Sequence, residues 1–360
     1  MDKNEIQVNL SVIDFDKKYN YDRDEVTYGS RSYVNWGKDN KYPSILKNLY
    51  YNSATLGSII NGTVGYILGN GVTASDNAAK WSDKVNRRGD TIYDIVNSIA
   101  LDYMLFRGFA IQVIYSKLGN VAEIYALDFS KCRSDEYHKK IYFNKKGWSS
   151  YSSKYEVYDA FGEKYDPEHP SQILYFTDGS RGVYPHPRWE GAIKDVETEI
   201  ECTNYSLNSI GNGLSARYIL TMPSSANLTK EQKDLIEKGI KEKFTGSDTP
   251  SNFMIYFATG TEELKATAIA ADEQNEKFTS IKKAARENIF TAFSAVPALF
   301  GLMTESKGFA QEEFEAAYKL YYNTQVKPIQ NKINKQLSKA LGVDNALVFQ
   351  PLIIAWDEEK

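Results

Sequence analysis

The chain has 360 residues, 42% of them hydrophobic, and its 43 Lys and Arg against 47 Asp and Glu leave a formal charge of −4. That length supports two or three compact units, or one elongated molecule with separate small cores, and the slight acidity argues against a protein that grips nucleic acid tightly, which needs clustered cations. The two cysteines, Cys132 and Cys202, are far apart and form no Cys-x-x-Cys, so neither a disulfide framework nor a zinc knuckle is indicated and a reducing cytoplasm is the expected place of assembly.

The first 40 residues mix charges with Tyr19, Tyr21, Tyr28, Tyr33 and Trp36 and read as an extended arm with short strands. The start, Met-Asp-Lys-Asn-Glu-Ile, has no signal-peptide pattern, and no run approaches the roughly 20 apolar residues of a membrane span, so neither export nor membrane insertion is expected. From Ser53 to Leu68 an apolar stripe (Leu56, Ile59, Ile60, Val64, Ile67) predicts a helix; Gly57, Gly62 and Gly65 would let another backbone approach it, and Gly69 and Gly71 end it. A second helix is expected from Asp90 as N-cap through Ile92, Ile95, Val96, Ile99, Tyr103 and Phe106. Strands are predicted at 109–115 and 121–127 around a Lys117-Leu118-Gly119-Asn120 turn, then at 141–143, 150–158 and 172–176, which makes this region an α+β domain.

After a connector from Arg181 to Pro187, residues 189–210 carry Ala192, Val196, Ile200, Thr203, Leu207 and Ile210 on one side of a helix. Glu190, Asp195, Glu197, Glu199 and Glu201 make that helix acidic, as a solvated face would be. Residues 214–260 read as a small insertion: a strand at 217–222, a helix from Thr229 to Phe244 with a Thr229/Gln232 capping box, and a strand at 253–257. So small a unit has little core of its own and needs neighbours. A helix capped by Asp272 then carries Phe278, Ile281, Ala285, Ile289, Ala292 and Val296, and Pro297 stops it at Val296. A polar loop, Met303, Thr304, Glu305, Ser306, Lys307 and Gly308, leads to a long helix from near Ala310 with Phe314, Tyr318, Tyr321, Ile329, Ile333 and Leu337 on one side. Pro328 predicts a kink near Val326, Gly342 a stop, and 346–354 an edge strand with Pro351 inside it. The 26 tyrosines and 17 phenylalanines exceed what packing alone requires, and suit a surface between subunits.

Familiar catalytic patterns are missing. There is no P-loop; Gly211-x-Gly213-x-x-Ala216 follows a helix and precedes a strand, the reverse of a dinucleotide site. His138, His169 and His186 are scattered over loops without metal-ligand spacing, and no nucleophile elbow occurs. No catalytic residue, metal or cofactor is therefore assigned, although a carboxylate pair brought together in space stays open.

Several motifs belong together: Asn212-Gly213 before a strand, Leu228-Thr229-Lys230-Glu231-Gln232 opening a helix and Phe244-Thr245-Gly246 closing it, then Arg286, Ile289, Phe293, Val296-Pro297, Leu299-Phe300-Gly301 and Lys327-Pro328-Ile329-Gln330. In that order they resemble the portal proteins of tailed bacteriophages, in the short form found in long-tailed phages. The resemblance implies an α+β, portal-like fold: an N-terminal arm and α/β wing (1–186), a first stem helix (187–213), a small α/β clip (214–263), a second stem helix (264–298), a tunnel loop (299–309) and a C-terminal wing helix and strand (310–360). The crown of larger relatives is reduced or absent on this alignment. It also implies a non-enzymatic ring of twelve subunits at one capsid vertex of the virion, assembled in the host cytoplasm. That ring would be the conduit for packaging and ejection of double-stranded DNA. Terminase, the major capsid protein, scaffold and a head–tail connector or adaptor are the implied partners.

A polyanion must slide through such a conduit, and a continuous basic lining would hold it. The expected channel residues are accordingly the loop Met303 to Gly308, acidic stem positions Glu197 and Glu201 that repel the duplex, and sparse cations Lys282, Lys283 and Arg286. A different head–tail component such as an adaptor, or a cytoplasmic enzyme with spatially assembled carboxylates, are the alternative readings.

Overall fold

A computed structural model describes residues 25–26, 32–149, 154–211, 217–222, parts of 229–238, 253–257, 265–269, 272–302 and 311–352. The chain divides into two compact units, one of Met1–Asn48, Val64–Pro187 and Lys327–Lys360, the other of Leu49–Thr63 and Arg188–Val326.

The first unit is built on a six-stranded sheet: β2 (Gly108–Tyr115), β3 (Val121–Leu127), β4 (Cys132–Ser134), β5 (Lys140–Phe143), β6 (Glu156–Ala160) and β7 (Ser171–Thr177), in the order β3-β2-β7-β6-β5-β4. Only the β6–β7 pair is parallel. The β2–β3 hairpin closes as expected, with the Ser116 N–H donating to the Asn120 carbonyl and Gly119 at φ +78°. Strand β6 covers the end of the expected 150–158 strand and continues beyond it; residues 150–153 lie outside the described residues.

Helix α3 (Ile92–Phe106) packs on β2 and buries Ile95, Val96, Ile99, Tyr103 and Phe106. Its N-cap is Thr91 rather than Asp90, because Thr91 finds Asp94 three residues on and the two close a capping box. Asp90 instead pairs with Arg88. Gly108, where α3 hands over to β2, has no room for a side chain: a Cβ would lie 2.7 Å from both the Phe129 ring and the Phe176 carbonyl.

A buried arginine organises the far end of the sheet. The Arg133 guanidinium donates to the carbonyls of Ser130, Cys132 and Asn40, at 2.9, 2.6 and 2.9 Å, and lies 5.7 and 5.2 Å from the Trp36 and Trp148 ring centres. Carbonyl dipoles and aromatic faces thus replace a carboxylate partner.

Helices α1 (Tyr42–Asn52) and α2 (Ala54–Leu68) precede strand β1 (Gly71–Ala74). Helix α1 was not expected, although Tyr42, Leu46 and Leu49 are buried at helical spacing. Strand β1 pairs antiparallel with β11 (Leu347–Gln350), which ends before Pro351, so that proline follows the strand instead of sitting inside it. Gln330 donates to the Ile67 carbonyl in the last turn of α2 at 2.8 Å, satisfying a backbone acceptor that the helix leaves open.

The second unit contains α4 (Ile193–Gly211), strands β8 (Arg217–Met222), β9 (Phe253–Phe257) and β10 (Lys265–Ile269), α5 (Asp272–Ala292) and α6 (Gln311–Tyr321). In its sheet β8 is central, antiparallel to β10 and parallel to β9. A parallel neighbour requires a crossover, and the connecting segment contains helical residues between 231 and 238, entered by the Thr229/Gln232 capping box. Strand β10 is an addition to the expected strand–helix–strand insertion. The acidic helix begins later than expected, after a 3₁₀ turn at Glu190–Ala192.

Between α6 and α7 (Lys327–Leu341) runs a π-helical turn, Tyr322–Val326, at the expected kink. Pro328 cannot donate a backbone hydrogen bond, and the wider turn absorbs the irregularity. Asn323 and Thr324 side chains bond the carbonyls of Lys319 and Leu320, four residues back, at 2.9 and 2.8 Å. Gly342, at φ +69°, ends the helix as expected.

Candidate functional site

Helices α4 and α5 pair antiparallel. Asn288 donates to Asp195 at 2.8 Å, and the rings of Tyr205 and Phe278 stack with centres 4.1 Å apart. Ten residues forward on one helix therefore match ten back on the other. Ala192 of the preceding 3₁₀ turn, Val196 and Cys202 of α4, and Ala285 and Ile289 of α5 are buried. Burial pushes the Cys202 thiol up, Lys282 opposing this and Glu201 adding to it, so the thiol is held protonated and unreactive.

The expected stripes are only half covered. Leu207 is 66% exposed and Ile281 47% exposed, so each helix leaves the pair with an apolar residue in solvent.

Nor is the acidic run one solvated face. Glu199 is buried and accepts hydrogen bonds from the Ser53 and Thr55 hydroxyls. Ser53 also accepts from the Leu56 N–H at 3.1 Å as N-cap of α2, so one hydroxyl both starts that helix and ties it to α4. Glu197 is half-buried; desolvation, then the neighbouring Glu201 carboxylate, raises its pKa to about 7. Glu201 and Lys283 are exposed, and Lys282 and Arg286 are partly so. Among the described residues no ion pair joins the acidic pair to these three cations.

The root of the expected loop is well defined. Helix α5 ends at Ala292, five residues before Pro297 and four short of the expected stop at Val296, with Ser294 at φ +50°. Val296 is extended, as a residue before proline prefers, and Pro297–Phe300 forms a 3₁₀ turn closed by Gly301 at φ +79°. The Phe300 ring stands edge-on to Phe290 and to Tyr321, with centres 6.0 and 5.7 Å away. It occupies the space that a side chain at Gly62 would need: a Cβ there would come within 2.7 Å of the ring. Tyr321 and Thr63 share a hydrogen bond of 2.8 Å. Gly62 therefore receives an aromatic ring, whereas Gly57 faces the Tyr50 carbonyl at 3.5 Å and Gly65 has open space. The loop residues themselves, Met303, Thr304, Glu305, Ser306, Lys307 and Gly308, lie outside the described residues. So do Gly213 and Ala216.

Among the described residues no cluster of His, Cys, Asp and Glu could hold a metal, and no helix is long and apolar enough to cross a membrane. The arrangement supplies packing surfaces and charge.

The sequence profile of the phage portal proteins matches residues 69–352. This chain belongs to the phage portal protein family. Portal proteins are structural components of the bacteriophage virion at the head–tail connection, and the family is not an enzymatic one. Comparison with curated proteins returns no match. Solved structures share the portal fold at low identity. A chain of the native gene transfer agent virion is 14% identical, with TM-score 0.57 over 86% of this chain and 83% of that one. A chain from the neck of the native gene transfer agent particle, computed with C12 symmetry, is 13% identical, with TM-score 0.56 over 88% and 86%. The HK97 family phage portal protein from Corynebacterium diphtheriae is 14% identical, with TM-score 0.53 over 85% and 94%.

Proposed function

We propose that copies of this chain close into a twelve-membered ring at one capsid vertex of the virion, through which double-stranded DNA is packaged and ejected. The carrying observation is the family match across residues 69–352, joined to an antiparallel α4–α5 pair that leads into a tightly anchored loop root. A chain of similar fold comes from a particle neck computed with C12 symmetry, which supports the ring.

In this reading residues 1–186 and 310–360 form the wing and α4 and α5 the stem. Segment 214–263, extended by β10, is the clip on which terminase and then the head–tail connector dock. Scaffold and major capsid protein meet the wing. Met303 to Gly308 project toward the DNA, and Glu197, Glu201, Lys282, Lys283 and Arg286 supply the charge of the stem. The energy for packaging comes from a separate terminase motor, as membership of the portal family implies.

Electron microscopy of the purified protein tests the ring: annular particles with an open centre are expected, and solitary or plugged particles under every condition would overturn it. Removing residues 303–308 should leave rings intact while DNA packaging or retention fails. Loss of the rings themselves would make the loop an assembly element instead.

A further inference from the structure

The two charge sets of the stem lie on opposite sides of the helix pair. On α4 the side turned toward α2 is marked by Glu199, bonded to Ser53 and Thr55. Glu197 and Glu201 stand two residues before and after it, about 200° round the helix in either direction, so both project away from that side. On α5 the corresponding side is marked by Phe290, which meets Phe300 against Gly62 of α2. Arg286 and Lys283 lie four and seven residues before Phe290, within roughly 40° of it, and Lys282 is in the same half. Anionic and cationic sets therefore cannot both face a single bore.

One of the two exposed apolar residues follows this division. Ile281, nine residues before Phe290, falls about 180° from it, on the side of the two glutamates. Leu207, eight residues after Glu199 and ten after Glu197, falls about 80° from each, at the edge between the two sides. Ile281, 47% exposed, is thus flanked by the anionic set, while Leu207, 66% exposed, stands at the edge of α4. Among the described residues neither charge set forms an ion pair with the other, and Glu197 carries the cost: desolvated beside Glu201, it is held partly protonated near neutral pH.

Resting on the ring reading above, we infer that the stem is a head-to-tail seam: the Glu197/Glu201/Ile281 side of one copy packs on the Lys283/Arg286 side of the next. Such a contact is heterologous, using two different patches on every copy, and so propagates from copy to copy until rotation closes it. Opposite charges give it orientation, and like-charge juxtaposition penalises the reversed docking. The occupant is a second copy rather than DNA or another protein, because the two sides of the same chain complement each other in sign. One of the two expected channel linings, acidic or basic, is then withdrawn from the bore.

Reversing charges tests the seam. Glu197→Lys with Glu201→Lys, and separately Lys283→Glu with Arg286→Glu, should each raise the concentration for half-maximal ring assembly at least about tenfold, a change of about 1.4 kcal/mol. All four substitutions in one chain should restore assembly to within about threefold of the parent, corresponding to roughly 0.65 kcal/mol. Native mass spectrometry and negative-stain images read the outcome, with thermal melting as the control for folding. Rings unaffected by either reversal, or lost in the fourfold variant although it melts like the parent, would overturn the seam while leaving the ring reading standing. A parent chain that forms no rings would instead overturn the ring reading itself. Should the reversed chains fail to fold, Glu197→Gln with Glu201→Gln replaces them: assembly should lose its salt dependence, and an unchanged dependence counts against the seam.

Discussion

Asn288 on α5 donates its side-chain amide to Asp195 on α4 at 2.8 Å, and this bond sets the same register as the Tyr205–Phe278 stack three turns away. A hydrogen bond at one end and an aromatic contact at the other prevent the helices from sliding or rotating independently.

Phe278→Ala should therefore loosen the end of the pair remote from Asn288. A stacked aromatic contact contributes about 0.5–1.5 kcal/mol beyond its buried area, and a loss of about 1–2 kcal/mol in total is expected by denaturant unfolding. Combined with Tyr205→Ala, the effect should be less than additive, since both substitutions remove the same contact.

Gly62→Ala would push a methyl group into the Phe300 ring and should cost about 1–3 kcal/mol. Phe300→Leu, which shrinks the obstructing side chain, should recover part of that loss when combined with it. A thermal-unfolding double-mutant cycle reads the coupling, and strictly additive losses would mean that the ring is not what limits space at Gly62.

Asp178 ties α7 to the end of α3 within the first unit. It accepts from Lys332 at 2.7 Å, Tyr103 at 2.7 Å and Arg107 at 3.2 Å. Burial alone would raise its pKa, but the hydrogen bonds from Lys332 and Tyr103, with the two nearby cations, outweigh it and hold the carboxyl below its usual value. A depressed pKa contributes stability above the unfolded value, near 3.9, and that stability is lost as pH falls through the folded value. The parent should accordingly lose stability on acidification below about pH 4, and Asp178→Asn should lose less across that range while starting lower at pH 7.

Glu197 has the opposite sign. Its pKa is raised to about 7, so the folded chain binds more protons than the unfolded chain and this group destabilises progressively as pH rises from about 4.5 to 7. In the unassembled chain Glu197→Gln should raise the melting temperature at pH 8, with the gain fading toward pH 4.5. Closing the proposed seam should bring cations to the carboxylate and shrink the gain, so comparing unassembled with assembled protein checks both claims.

Much of this architecture is carried by local pattern. The stripe Leu56, Ile59, Ile60 and Ile67 is buried as its spacing predicts, and the β2–β3 hairpin closes at Gly119 where a positive φ is required. Adjacent residues with equal capping ability were harder to rank: Asp90 and Thr91 are both good caps, and only the side chain at Asp94 decides between them. What could not be read depended on distant partners. Nothing near Glu199 distinguishes it from Glu197 and Glu201, because its hydroxyl donors are at Ser53 and Thr55. Likewise the apolar spacing of Ile281 and Leu207 marks both as interior, and only their surroundings show them uncovered. The family motif Leu299-Phe300-Gly301 was legible as a unit, but that Phe300 rests on Gly62 was not.

The β1–β11 ribbon joins Gly71 to Gln350 and Ala74 to Leu347. Contacts between residues so far apart in sequence form late, because a long intervening chain must first be gathered. During synthesis, β1 waits for its mate until the ribosome has translated all of the second unit and α7. A nascent chain stalled or truncated before Leu347 therefore lacks the strand that pairs with β1, and cannot complete the first unit as a full-length subunit does.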